Sequence, residues 1–251
     1  MLLFYIRHGD PIYSPDSLTE FGHEQAQALK HRLKLCGIEE IYSSTSTRAI
    51  MTATPTAELL GLPIKTLEWC HETLAYRDFN MDAFSKAEKI QKTGGSPYKS
   101  TWMWANEETV ELFNSPEMRA LGSEFYNHPI FEGTNVKEGY ERIRRETDAF
   151  IESLGYRHHP ENCSYEAISP NEKRVALFAH EGFGKLFMSC LLDIPYPYFS
   201  THYEFGHSGM TVIEFQNNGW KNVRARVLQH SSDSHLFAGG VSTKYQNRIL
   251  F

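Results

Sequence analysis

An apolar run at residues 2–6 (LLFYI) ends abruptly in Arg7, His8 and Gly9. A short continuous run of this kind is the form of a strand buried on both faces. In open α/β sheets, functional residues sit at the carboxyl ends of such strands. Arg7 carries a planar fork that suits the oxygens of a phosphate. Its charge also lowers the basicity of the neighbouring His8, which makes the imidazole a poor general base. A neutral imidazole beside a bound phosphate is instead a competent nucleophile. Gly9 allows unusual dihedrals and close approach of a ligand to the backbone. Alone, the tripeptide fits equally well a histidine that packs its own loop.

Four further stretches change that balance. After FYIRHGDP, which holds the tripeptide, come LTEFGHEQAQAL, YSSTSTRAIMTA and ALFAHEGF along the chain, and SDSHL lies near its end. Together they resemble the histidine phosphatase superfamily, the phosphoglycerate mutase-like proteins. FYIRHGDP resembles the nucleophile motif of that family. YSSTSTRAIMTA resembles the segment that supplies a second phosphate-binding arginine, here Arg48. ALFAHEGF resembles the strand that ends in a second active-site histidine, here His180. The resemblance implies that Arg7, His8, Arg48 and His180 ring one phosphoryl group, a set of preorganised donors for its charged oxygens. It also implies a carboxylic acid after the third strand to protonate the leaving group. LEWCHETLAYRDF offers Glu68, Glu72 and Asp78 there, and its place after the strand favours Glu72, with Glu68 second. One residue departs from the pattern: Glu181 follows His180 where the family usually has glycine. A carboxylate so placed would repel a phosphate unless it points away.

Within the family, the rival reading is a phosphoglycerate mutase-type phosphotransferase. Asp10-Pro11 after the first motif, and the short loop that follows, favour hydrolysis. From another class, the rival is a non-catalytic phospho-ligand binding or regulatory protein, whose mark would be loss of His8, an arginine or His180; none is lost. A metallohydrolase is suggested by 12 histidines, yet HExxH is absent, and His158-His159 read as solvated residues of a polar loop. GHSGM around Ser208 does not supply the GxSxG of a serine hydrolase, and GFGKL at residues 182–186 lacks the first glycine and the Ser/Thr of a P-loop. No cofactor and no metal are expected.

The elements that must hold these residues follow from periodicity. Ser17 or Thr19 caps a helix with Ala26, Leu29, Leu33 and Cys36 on one face, stopped by Gly37. Residues 38–42 form a second strand. A helix from about residue 47 aligns Ala49, Ala53, Ala57 and Leu60, and Pro55 predicts a kink or break inside it. Residues 64–69 are extended, 140–154 helical, 174–179 (RVALFA) a buried strand, and a helix runs on to Leu192. Residues 210–215, the turn Asn217-Asn218-Gly219 and residues 220–228 read as a hairpin. This alternation predicts an α/β fold of three layers, a mostly parallel sheet with helices on both faces. Residues 79–133, rich in aromatics including Trp102 and Trp104, break the rhythm and read as a mainly helical, cap-like insertion in a single domain spanning 1–251.

The 251 residues carry a formal net charge of −6, with 41% hydrophobic and 22% charged residues. That balance argues against a non-specific nucleic-acid or polyanion binder, so an anion site must be built from a few placed cations. No apolar run reaches membrane-spanning length. Met1 enters the first strand without a basic leader, and Cys36, Cys70, Cys163 and Cys190 form no CxxC. The expectation is a cytoplasmic phosphomonoester phosphatase that meets a small-molecule substrate, neither nucleic acid nor membrane. Its substrate and oligomeric state are not legible.

Overall fold

Strand β1 (Leu2–Arg7) alternates its side chains between two hydrophobic clusters. Leu3 and Tyr5 enter one, and Phe4 and Ile6 the other. A strand buried on both faces must lie inside a covered sheet, and each side chain so buried contributes about 1.5–3 kcal/mol. The computed structural model describes residues 1–77 and 107–243.

Along the described chain, β1 is followed by a small hairpin, β2 (Pro11–Tyr13) and β3 (Asp16–Leu18), then helix α1 (Glu20–Cys36). Strand β4 (Glu40–Ser44), helix α2 (Thr47–Leu60), strand β5 (Ile64–Leu67), a 3₁₀ turn (Glu68–Cys70) and helix α3 (Glu72–Arg77) complete the first part. The second holds α4 (Glu107–Phe113), α5 (Pro116–Leu121), two 3₁₀ turns, α6 (Val136–Ser153), β6 (Tyr156–His159), β7 (Ser164–Ala167), β8 (Arg174–Ala179), α7 (Glu181–Leu192) and α8 (Tyr196–His202). It ends with β9 (Met210–Phe215), β10 (Asn222–Val223), β11 (Ala225–Ser232) and α9 (Ser234–Ala238).

The main sheet has six strands in the order β11-β9-β1-β8-β4-β5. The pairs β1–β8, β8–β4 and β4–β5 are parallel; β9 and β11 join antiparallel at one side. Leu29 and Leu33 of α1 with Ala53 and Ala57 of α2 cover one face, and Ile143 of α6 with Leu186 and Phe187 of α7 cover the other. The fold is therefore the mostly parallel, doubly covered α/β sheet that the alternation of elements predicts.

Thr19 is the N-cap of α1, accepting from the Gly22 N–H, and Gly37 closes the helix in the left-handed conformation at φ 68°. Three expectations need correction. Helix α2 runs unbroken through Pro55: Ala49, Ala53 and Ala57 are buried on both sides of the proline, and tertiary packing overrides the lost hydrogen bond. His158 and His159 lie on strand β6, not in a loop, and His158 is buried between Asp148 and Asp193 at 2.7 and 3.0 Å. The terminal hairpin pairs β9 with Ala225–Ser232, while Asn222–Val223 turns aside to pair with β7 in a separate three-stranded sheet.

The aromatics of residues 107–133 join the main core. Phe125 is fully buried against Phe131, Tyr140 and Tyr196. Trp102 and Trp104 lie outside the described residues. Cys190 is buried, and Cys36, on the apolar face of α1, is only half-buried. No helix among the described residues is long and apolar enough to cross a membrane.

Candidate active site

The register of the sheet assembles the site. Arg7 lies opposite Ala179 in the parallel β1–β8 pair, so His8 and His180 emerge side by side from adjacent strand ends. Their rings are 5.2 Å apart. The backbone of His8 is gripped from both neighbours: its N–H donates to the Ala179 carbonyl at 3.0 Å, and its carbonyl accepts from the Ser208 N–H at 3.0 Å. Strand β4 lies on the other side of β8, and its last residue, Ser44, brings Oγ to 2.8 Å from Nε2 of His180. Ser46 then caps α2, which places Arg48 in the first turn of that helix.

Gly9 is needed for a reason other than a special dihedral. A Cβ there would lie 2.7 Å from the Gly22 carbonyl oxygen, because the loop packs directly on the first turn of α1. A Cβ on Gly22 would in turn meet the Asp10 carbonyl oxygen at 2.2 Å. The two glycines allow loop and helix backbones to touch.

The tautomers follow from the partners. His8 Nδ1 lies 2.7 Å from the Gly9 carbonyl, an acceptor, so the proton sits on Nδ1 and Nε2 keeps its lone pair. Arg48 Nε donates to that lone pair at 3.2 Å. Burial, followed by His180, Arg7 and Arg48, holds the His8 imidazole well below its ordinary pKa. His180 Nδ1 lies 3.1 Å from Arg48 Nη2, so it is the acceptor there and Nε2–H donates to Ser44. Burial and then Arg48 also push its pKa well down. Both histidines are neutral at physiological pH.

The two guanidinium groups differ. All three nitrogens of Arg48 are engaged: Nε by His8, Nη2 by His180, and Nη1 by Asp16 Oδ1 at 2.7 Å. The ring of Tyr13, on the same hairpin as Asp16, lies 5.4 Å from the guanidinium carbon. Among the described residues, the side chain of Arg7 makes its contacts through Nη1, to Glu181 Oε2 at 2.8 Å and to the Phe205 carbonyl. Its Nε is buried without a hydrogen-bond partner.

Glu72 begins α3, and its carboxylate oxygens accept from the N–H groups of Gly182 at 3.1 Å and Phe183 at 3.0 Å. It thus caps α7, whose N-cap residue His180 makes no side-chain cap. Burial raises the Glu72 carboxyl to a pKa of about 7, against the two N–H bonds and Arg48. Glu68 is exposed on the preceding turn, and Asp78 lies outside the described residues. Arg7, His8, Arg48, Glu72 and His180 are therefore brought together, and Glu68 is not.

Residues that sequence reasoning missed surround them. Asp16 sits in a hairpin with no periodic signal. His71, beside Glu72, holds its ring tilted 5.9 Å from that of His180. His207 approaches His8 at 5.7 Å between centroids and Asp10 at 3.4 Å. The SDSHL stretch finds a structural use: His235 Nε2 bonds Ser208 Oγ at 2.9 Å, fixing the loop that grips His8. Among the described residues, no three His, Cys, Asp or Glu side chains are grouped to hold a metal ion.

The fold is shared with solved phosphatases. A phosphoserine phosphatase mutant from Entamoeba histolytica in complex with phosphoserine is 16% identical, with 94% of this chain and 98% of that chain covered and a TM-score of 0.56. The alpha-ribazole phosphatase from Shigella flexneri is 16% identical, covering 93% and 97%, with a TM-score of 0.54. A mycobacterial glucosyl-3-phosphoglycerate phosphatase is 18% identical, covering 92% and 98%, with a TM-score of 0.53. No curated protein sequence matches the chain. The class so defined is the phosphoglycerate mutase-like α/β fold. Residues 3–123 match the model of the Histidine phosphatase superfamily (branch 1).

Proposed function

We propose that the protein is a phosphomonoester hydrolase that works through a phosphohistidine intermediate. The observation that carries this reading is His8: neutral, held in the Nδ1–H tautomer by the Gly9 carbonyl, and presenting Nε2 among cations. In the first step, Nε2 of His8 attacks phosphorus and the bond from phosphorus to the substrate's ester oxygen breaks. Arg7, Arg48 and His180 hold the phosphoryl oxygens, Arg48 exchanging its Asp16 partner for one of them. Glu72, which burial keeps protonated up to about pH 7, gives its proton to the departing alkoxide. In the second step, the Glu72 carboxylate takes a proton from water, the water oxygen attacks phosphorus, and the N–P bond breaks to release inorganic phosphate. The cations come from the chain itself, so the scheme calls on no metal ion and no cofactor.

Small phosphorylated metabolites are the proposed substrates, and the two solved relatives named for phosphoserine and glucosyl-3-phosphoglycerate point the same way. Residues 79–133 are proposed to select the non-phosphate part of the substrate as a cap-like insertion in a single domain. The test is His8→Ala. It should fold and show no turnover, while the native chain quenched during turnover should carry an acid-labile, alkali-stable phosphate on His8. Full activity of the alanine variant would sink the mechanism.

A further inference from the structure

The carboxylate that the sequence would have pointing away from a phosphate lies instead on an arginine. Glu181 Oε2 is 2.8 Å from Nη1 of Arg7, and its Oε1 is 3.2 Å from Nζ of Lys185, one turn along α7. Lys185 is fully buried and reaches Glu204 Oε1 at 3.0 Å, where the chain of charges comes to the surface. The Phe205 carbonyl, the other partner of Arg7 Nη1, is held in place as well, since the Phe205 ring packs on Tyr5 at 5.4 Å and His230 at 4.8 Å. Nη1 is thus clamped from two sides. What remains of the guanidinium is its Nε–Nη2 edge, the side that grips two oxygens of one oxyanion, and Nε there is buried without a partner.

We infer that Glu181 is a positioning residue: by clamping Nη1, it turns the Nε–Nη2 edge of Arg7 toward the phosphoryl group beside His8. This rests on the proposed hydrolase reading. Lys185 is the necessary third member. Paired with Glu181 alone, Arg7 would bring its N–H donors but no net charge to an anion. Because Glu181 is shared between two cations, Arg7, Glu181 and Lys185 together carry one net positive charge; Glu204, whose carboxyl burial and Glu181 raise to about 7, offsets it only where that group ionises. The carboxylate stays ionised: burial would raise its pKa, but Arg7, Glu204 and Lys185 outweigh burial and hold it at about 2.

The experiment measures steady-state hydrolysis of nitrophenyl phosphate and inhibition by vanadate in the full chain. The variants are Glu181→Ala, Glu181→Gln and Arg7→Lys, with the two Glu181 changes also made in the Arg7→Lys background; thermal melts check folding. A mispositioned group costs up to about 100-fold, so Glu181→Ala should lose roughly 10- to 100-fold in kcat/KM, mostly in kcat. Vanadate should weaken in parallel, since it reports transition-state binding. Glu181→Gln, which keeps an acceptor oxygen, should fall between the two. Lysine has no Nε–Nη2 edge to aim, so in the Arg7→Lys background either change should cost less than about twofold. Unchanged kcat with tighter vanadate binding in Glu181→Gln would overturn the inference, as would an equal loss in the lysine background. If the native chain neither hydrolyses phosphomonoesters nor binds vanadate, the hydrolase reading fails and takes the inference with it. An active native chain indifferent to Glu181 defeats the inference alone.

Discussion

Glu72 caps α7, and the proposed mechanism asks the same carboxyl group to donate a proton; the two jobs make opposite demands. As a cap on α7 it accepts two backbone N–H bonds, which favour the ionised form; as a proton donor it must start protonated. Burial decides between them and raises the group to about 7. For alkyl phosphates, which need the proton, kcat/KM should therefore fall as pH rises through about 7. Glu72→Gln should slow alkyl phosphates by roughly 10²–10⁴-fold and nitrophenyl phosphate much less. An equal loss on both substrates, with no change in the pH profile, would assign Glu72 to capping only. At this scale the sequence was partly legible. His8 and Arg7 are named by a strand end, because strand burial is a local pattern. The engagement of Arg48 by Asp16 and of Arg7 by Glu181 is not, because each joins side chains from elements whose approach no local pattern encodes.

Among the elements, β6 is tied to its neighbours by a buried ion triad. His158 is stacked 4.5 Å from Tyr165 and lies between Asp148 of α6 and Asp193, just past α7. Burial alone would lower its pKa; the two carboxylates overcome that and raise it to about 9. A folded value above the ordinary 6.5 means that this contribution is fully present below about pH 6.5 and is lost as pH rises through 9. Because Asp148 is one-third exposed, the discounted contribution is roughly 2–3 kcal/mol. Denaturant unfolding of His158→Gln should show a deficit of that order at pH 6 that shrinks toward pH 9. A pH-independent deficit would mean that only packing was lost. The sequence gives no sign of this triad, since two adjacent histidines in a polar stretch look solvated until a strand pairing buries one of them. By contrast, β8 and the end of α7 at Leu192 are readable to the residue, because an unbroken apolar run is a local signal.

For the whole molecule, a net charge of −6 surrounds a site of placed cations, and those cations belong to the chain. Chelators should leave activity intact, and vanadate should inhibit; activity lost in chelator and restored by a divalent ion would favour a metallohydrolase. The proposed insertion is best tested in two parts. Phe113, Phe125 and Phe131 are built into the core, so residues 107–133 cannot be removed without cost. Replacing only residues 79–106 by a short linker should spare hydrolysis of nitrophenyl phosphate and abolish preference among natural phosphates; an unchanged substrate profile would show that the segment serves something else. The sheet order has a consequence for the growing chain. Strand β1 is made first, yet its neighbours are β8 and β9, completed only at Ala179 and Phe215. At about 5–20 residues per second, a nascent chain carries this apolar strand unpaired for roughly 10 s or more before either partner exists. During that interval both of its edges are open to other strands. A strand at the centre of the finished sheet is thus exposed to aggregation during synthesis, and chains truncated before residue 174 should be captured by holdase chaperones while the full-length chain escapes them.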